Sequence, residues 1–259
     1  MSKKQTTIGI DYDRAGIRGA RMVSEELRGD RLSAVERVEE VSGAFDNPDE
    51  LVEGLAGIRK KLEAGTADMV VSCVGGKQVY AAQMPFRRLA DDETRRALRF
   101  ELRKKIPFEV AGSTIDYQVL RAAEKAGDNS ELLVTVVANA LLHQHLRIME
   151  KAGMKPHIVD VIPTAAANAV VTTGARDGNG AGGGIVVHVG PDTTNLVFEL
   201  DGPFFTRSFA FDAHGLSETN PAAEPTRQLR DRLTLFSQEI LRSVSYYEKT
   251  FKVEDFGAL

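Results

Sequence analysis

Apolar positions along the chain recur with two rhythms, period two and period three to four, and the switches between them mark its elements. "TIGIDYD", "AGIRGARMV" and "RLSAVERVEEV" alternate apolar and polar residues, and a tight polar turn joins the first two, so three strands open the chain. Asn47-Pro48-Asp49 marks a helix start. Leu51, Leu55, Ile58 and Leu62 then follow at helical spacing, with Gly65 the expected C-cap. "ADMVVSCVGG" crowds β-branched residues into a short run bounded by glycines, the pattern of a buried strand. Three strands, a helix and a strand in that order predict a mixed α/β layer.

After Met84-Pro85-Phe86 the texture changes. Asp91 or Asp92 is expected to cap a helix whose Leu98, Leu102 and Ile106 share a face, and Pro107 stops it. "STIDYQVLRAAE" and "ELLVTVVAN" read as two strands joined across "KAGDNS". "ALLHQHLRIMEKAG" reads as a helix with Leu142, Leu146 and Met149 on one side and Gly153 at its end. Helix, strand, strand and helix form a module at residues 85–157. "KPHIVDVIP" is a returning strand, and "TAAANAVVTTG" is a small-residue helix able to pack closely on a sheet. The glycine-rich "ARDGNGAGGG" is the clearest linker and the expected domain boundary. Beyond it, "GIVVHVG", "NLVFEL" and "PFFTRSFAF" predict a three-stranded meander. A long helix follows, with Leu229, Leu233, Phe236, Ile240, Val244, Tyr247 and Phe251 as a stripe that reads as core first and partner surface second.

Composition narrows the class. Of 259 residues, 42% are hydrophobic and 27% charged, an ordinary globular mixture with enough chain for one large domain or two smaller ones. The formal net charge of -4 offers no global basic field, so no nucleic-acid partner is expected. The local clusters "RKKLEAG" and "RRALRFELRKK" read as solvated helix faces. A single cysteine, Cys73, excludes an intrachain disulfide, fits a reducing compartment and reads as strand core rather than nucleophile. No apolar run approaches the ~18 residues that cross a bilayer, and "MSKKQTTIGI" lacks the apolar core of a signal peptide. A membrane link is therefore expected only through a partner or through sequence beyond Leu259. His143 and His145 sit at i and i+2 of a helix and diverge, so no metal site is expected from them.

The N-terminal "IGIDYDRAGIRGARM" and the later "VVHVGPDTTNLVFEL" share one plan of strand, polar turn and strand. With "IVDVIPTAAANAVV" between them, their order and spacing resemble the actin-like ATPase architecture, in which two such turns hold nucleotide phosphates from opposite sides. "RRALRFELRKKIPFEVAGSTIDYQVL" narrows the resemblance. A helix leading into Ile106-Pro107-Phe108, followed by an Asp-Tyr-Gln strand, is similar to the type IV pilus assembly protein PilM and the cytoplasmic domain of the type II secretion protein GspL. "MEKAGMKPHIVDVIPTAAANAV" and "LRSVSYY" are similar to that family as well. The resemblance implies an α/β fold of actin-like type with duplicated RNase H-like sheets. Residues 1–84 with 158–177 would form subdomain IA, residues 85–157 an inserted α+β subdomain IC, and residues 182–259 subdomain IIA, with the fourth subdomain, IIB, missing or reduced.

The resemblance also places phosphate turns at Asp11 and Arg18 and at Gly190, Thr193 and Thr194, and both turns depart from the pattern. Asp13 stands where the family has glycine, and Arg18 where it has lysine. A carboxylate in a phosphate turn repels the anion, and losing glycine hinders close backbone approach, although Arg18 can still attract a phosphate. In the second turn His188 replaces a metal-linked aspartate, and neutral imidazole lacks the hard anionic oxygen that Mg2+ prefers. Ile162 stands where actin-like enzymes carry a water-orienting acid, with Asp160 two residues away as a partial substitute. "DAHGLSETNPAAEPTRQ" is too short for the small subdomain that PilM-like proteins insert, and the Gly-Gly turn that holds adenosine would follow Leu259. The expectation is a nucleotide site emptied of its chemistry: no enzyme, no catalytic residue, no metal and no required cofactor, with weak ATP–Mg2+ binding as the alternative.

A docking body remains. The short segment before the last helix favours the GspL side, a non-catalytic scaffold of a type II secretion platform at the cytoplasmic face of the bacterial inner membrane, with a transmembrane helix and periplasmic domain expected after Leu259. The alternative is a PilM-like protein that binds ATP and the N-terminal tail of a PilN-like protein. The implied partners are a hexameric secretion or pilus ATPase, GspE- or PilB-like, and a bitopic inner-membrane protein, GspM- or PilN-like, with a homodimer left open. Partner contacts are expected at Phe100, Pro107 and Phe108, against the plainer reading of Phe100 and Phe108 as core. An actin-like nucleotide switch and an FtsA-like tethered filament are the competing classes. The filament needs an amphipathic anchor, for which "FKVEDFGAL" is too short and acidic.

Overall fold

The computed structural model describes residues 4–27, 30–125, 128–173, 184–199, 203–211 and 226–252. They divide into two compact units: residues 1–74 with 139–161, and residues 75–138 with 162–259. In chain order the elements are β1 (Lys4–Asp13), β2 (Gly16–Leu27), β3 (Asp30–Ser42), α1 (Pro48–Lys61), β4 (Met69–Val74), β5 (Val79–Arg87), α2 (Asp91–Leu102), β6 (Ser113–Arg121) and β7 (Asn129–Ala138). There follow α3 (Asn139–Lys151), β8 (Ile158–Val161), α4 (Ile162–Thr173), β9 (Gly184–Val189), β10 (Thr193–Glu199), β11 (Phe205–Ala210) and α5 (Arg227–Phe251). The linker at 175–183, the segment 212–225 and the last seven residues lie outside the described residues.

The first unit holds one sheet in the order β3-β2-β1-β4-β8. The opening meander is antiparallel, and β4 and β8 add in parallel. Ile8, Ile10 and Ile17 meet Leu55, Ile58 and Met149 in the core. The helix approaches the sheet closely because β2 carries Gly19, where a Cβ would lie 2.7 Å from both Ile58 Cγ2 and Leu62 Cδ1. Asn47 caps α1 as expected, its side chain accepting from the Asp49 and Glu50 amides. The expected Gly65 cap is not used: the helix closes at Leu62, and Glu63 takes the left-handed turn at φ 52°. The helix α3, grouped by sequence with the 85–157 module, belongs to the first unit, where Ile148 and Met149 pack beside α1.

The second unit holds a six-stranded sheet in the order β6-β7-β5-β11-β10-β9. Its β9–β10–β11 meander repeats the antiparallel plan of β1–β2–β3, the duplication expected from sequence. The sequence reading missed β5 because Pro85 interrupts it. That proline lies exposed, beyond the one residue, Ala82, at which β11 pairs with β5. The expected acidic cap of α2 is also corrected: Ala90 is the N-cap, without a side-chain cap bond. Asp91 in the first turn instead accepts from the Tyr117 hydroxyl at 2.5 Å and from Arg95 Nε at 3.1 Å. The Tyr117 bond first, then Arg95, holds the Asp91 carboxyl below its usual range. The stripe on α5 is core at its C-terminal end, where Val244 and Tyr247 are buried against Leu196 and Phe198. Near the other end Leu233 is 40% exposed.

Candidate functional site

The first turn joins β1 to β2 and is closed from within. Asp13 Oδ1 accepts the Ala15 amide at 2.6 Å and the Gly16 amide at 3.0 Å. Backbone N–H groups of this kind are what a turn offers to a phosphate, and here a carboxylate already occupies them. Register places Asp11, Arg18 and Glu40 opposite one another across β1, β2 and β3. Arg18 Nη1 lies 3.4 Å from Asp11 Oδ2 and from Asp13 Oδ2, and its Nε lies 3.3 Å from Glu40 Oε1. Three carboxylates stand against Arg18 and the turn's own exposed Arg14, so one net negative charge remains at the turn. Burial opposes the charge on Arg18, but Asp13, Asp11 and Glu40 outweigh it and raise its pKa.

The other oxygen of Asp11 accepts from Cys73 Sγ at 3.3 Å, and Asp160 stands opposite Cys73 on β8. Burial, then the neighbouring Asp11 and Asp160, pushes the thiol far up, so it stays a neutral donor and not a nucleophile. Behind Asp11 runs a chain that sequence reasoning missed. Tyr12 Oη and His145 Nδ1 are 2.8 Å apart, as are His145 Nε2 and Ser72 Oγ, and the Tyr12 and His145 rings stack with centroids 5.1 Å apart. Burial lowers the His145 pKa to about 4, with Asp11 opposing, so the imidazole is neutral and offers one donor and one acceptor. The signal was its spacing: His145, Ile148 and Met149 fall at i, i+3 and i+4, one buried helix face. His143 points to solvent and diverges from it. Among the described residues no group of three His, Cys, Asp or Glu side chains could hold a metal ion.

The second turn belongs to the other unit. The Gly190 amide donates to the Thr193 carbonyl at 2.9 Å, so this turn also satisfies itself. Thr194 is fully buried and its hydroxyl has no partner, while Thr193 is half-buried. His188 sits in a polar row across three strands. Asn195 Nδ2 donates to His188 Nδ1 at 3.4 Å, and Ser208 Oγ donates to Asn195 Oδ1 at 2.7 Å. Ile162 packs its δ-methyl against Gly75, placing hydrocarbon where a water-orienting acid was looked for.

Of the three residues expected to meet partners, Phe100 is 61% exposed and lines a pocket of about 560 Å3. Phe108 is half-buried against the Leu98–Leu102 core, and Pro107 is exposed but outside the pocket lining.

The sequence profile of the type IV pilus assembly protein PilM family matches residues 9–219. The chain belongs to this family. Its fold is similar to a chain of the PilM–PilN type IV pilus biogenesis complex, at 17% identity and a TM-score of 0.73, over 93% of this chain and 77% of that one. With the repeated meander, that likeness shows an actin-like fold. The chain is also similar to the cytoplasmic domain of EpsL, an inner-membrane component of the Vibrio cholerae type II secretion system. There the identity is 14% and the TM-score 0.47, over 85% of this chain and 79% of that one. No curated protein sequence matches. Among the described residues no helix is long and apolar enough to cross a membrane.

Proposed function

We propose that this PilM-family chain is a non-catalytic scaffold at the cytoplasmic face of the bacterial inner membrane. It holds a segment of a bitopic PilN-type partner and links it to a pilus motor ATPase. The observation that carries this reading is the closure of the first turn by Asp13, which takes the Ala15 and Gly16 amides and leaves a net negative turn. A nucleotide machine needs those amides for phosphate and a free cation beside them. Phosphate chemistry is therefore unsupported, while a surface suited to a partner is present around Phe100. The family match and the PilM–PilN relative support the pilus side. A GspL-type secretion scaffold is the second reading, favoured by the shortness of "DAHGLSETNPAAEPTRQ".

The test is co-purification of the chain with the N-terminal tail of its cognate PilN-type protein and with the N-terminal domain of the motor ATPase. Stable capture of either supports the scaffold. Failure to capture both overturns it.

A further inference from the structure

The pocket at Phe100 lies wholly within the second unit, between β5 and α2. Met84, Phe86, Leu89, Ala97 and Phe100 make it apolar. Arg87 and Lys105 also line it, and Lys104 Nζ lies 5.7 Å from the centroid of the Phe100 ring. Arg103, three residues after Phe100, is exposed as well. Among the described residues Arg87, Arg103, Lys104 and Lys105 enter no ion pair, whereas Arg95 is held by Asp91 and Asp116. Glu101 is the one acid in the lining. An exposed aromatic ring in an apolar hollow, bordered by cations with no anionic partner, is complementary to a hydrophobic side chain carried among carboxylates.

We infer that this pocket receives a partner segment in which a large apolar residue is flanked by Asp or Glu. The apolar residue stacks on Phe100, and its neighbours pair with Arg87, Lys104 and Lys105. A basic helix with an exposed phenylalanine also suits an anionic lipid surface, but insertion there needs a protruding side chain. A hollow lined by six apolar residues, Pro85 among them, suits a guest side chain better. The assignment rests on the scaffold reading and names the chemistry of the docking segment.

The test is fluorescence anisotropy of a labelled synthetic peptide with a central Leu-Phe pair flanked by Asp and Glu, beside a counterpart flanked by Lys, each titrated with the full chain. The acidic peptide should bind saturably and lose affinity with added salt. Phe100→Ala and Lys105→Glu should each weaken it by about tenfold or more, and the Lys-flanked peptide should not bind. Both substituted side chains are exposed, and a thermal melt shows that the variants fold. Equal binding of the two peptides, no binding of either, or indifference to Phe100→Ala overturns the assignment. So does capture of phosphatidylglycerol vesicles in place of the peptide, which would mark a lipid surface. If the acidic peptide fails while the PilN-type tail still binds, the pocket assignment alone falls. If the peptide, the PilN-type tail and the motor ATPase domain all fail, the scaffold reading falls with it.

Discussion

The Asp13 carboxylate accepts the Gly16 amide at 3.0 Å, bonding the β1–β2 turn to itself across the place an anion would take. The same oxygen takes the Ala15 amide, so one side chain holds two backbone donors of the turn. Asp13→Ala should therefore lower stability by about 1 kcal/mol, read as a drop in the urea midpoint with an unchanged slope. The half-exposed Arg18 pairs should add little to that loss.

The Tyr12–His145–Ser72 chain should make the protein acid-sensitive. The His145 pKa falls from 6.5 to about 4 on folding, so the unfolded chain binds a proton that the native one refuses. Stability is complete above pH 6.5 and declines as pH drops toward 4, by about 3 kcal/mol in all. Urea unfolding across that window should show the decline. His145→Gln should flatten it while lowering stability at pH 7.

Gly19 lets α1 lie against β2. A side chain there must displace Ile58 and Leu62, both fully buried, so Gly19→Val should cost about 1–3 kcal/mol of overpacking. Differential scanning calorimetry should show the lower melting temperature.

Tyr247 anchors α5 by stacking on Phe198 with centroids 4.7 Å apart and by donating to the Pro203 carbonyl at 2.9 Å. Tyr247→Phe removes only the hydrogen bond and should cost about 1 kcal/mol. Tyr247→Ala also opens the aromatic cluster and should cost about 3–5 kcal/mol. Chemical denaturation of the pair separates the two contributions.

Strand alternation and helical spacing made most elements legible, down to the Asn47 cap of α1. Pro85 hid β5, because a missing N–H reads as a break until the neighbouring strand is known to end short of it. The misfit of Asp13 was legible in the sequence, but the fate of Arg18 was not. A register shift between Arg21 and Met22 puts Glu40 rather than Glu39 opposite Arg18, and nothing in the sequence marks that bulge. Glu39 instead lies 3.8 Å from Lys61. His145 was weighed only as a metal ligand beside His143, although its spacing from Met149 placed it in the core.

The most direct measurement is thermal unfolding of the full chain with and without millimolar Mg-ATP, repeated for Asp11→Ala. A ligand at a hundred times its Kd adds about 2.7 kcal/mol, so a working site cannot escape notice. A turn already filled by Asp13 predicts superimposable curves for both proteins. A saturable rise in melting temperature that disappears in Asp11→Ala would contradict it.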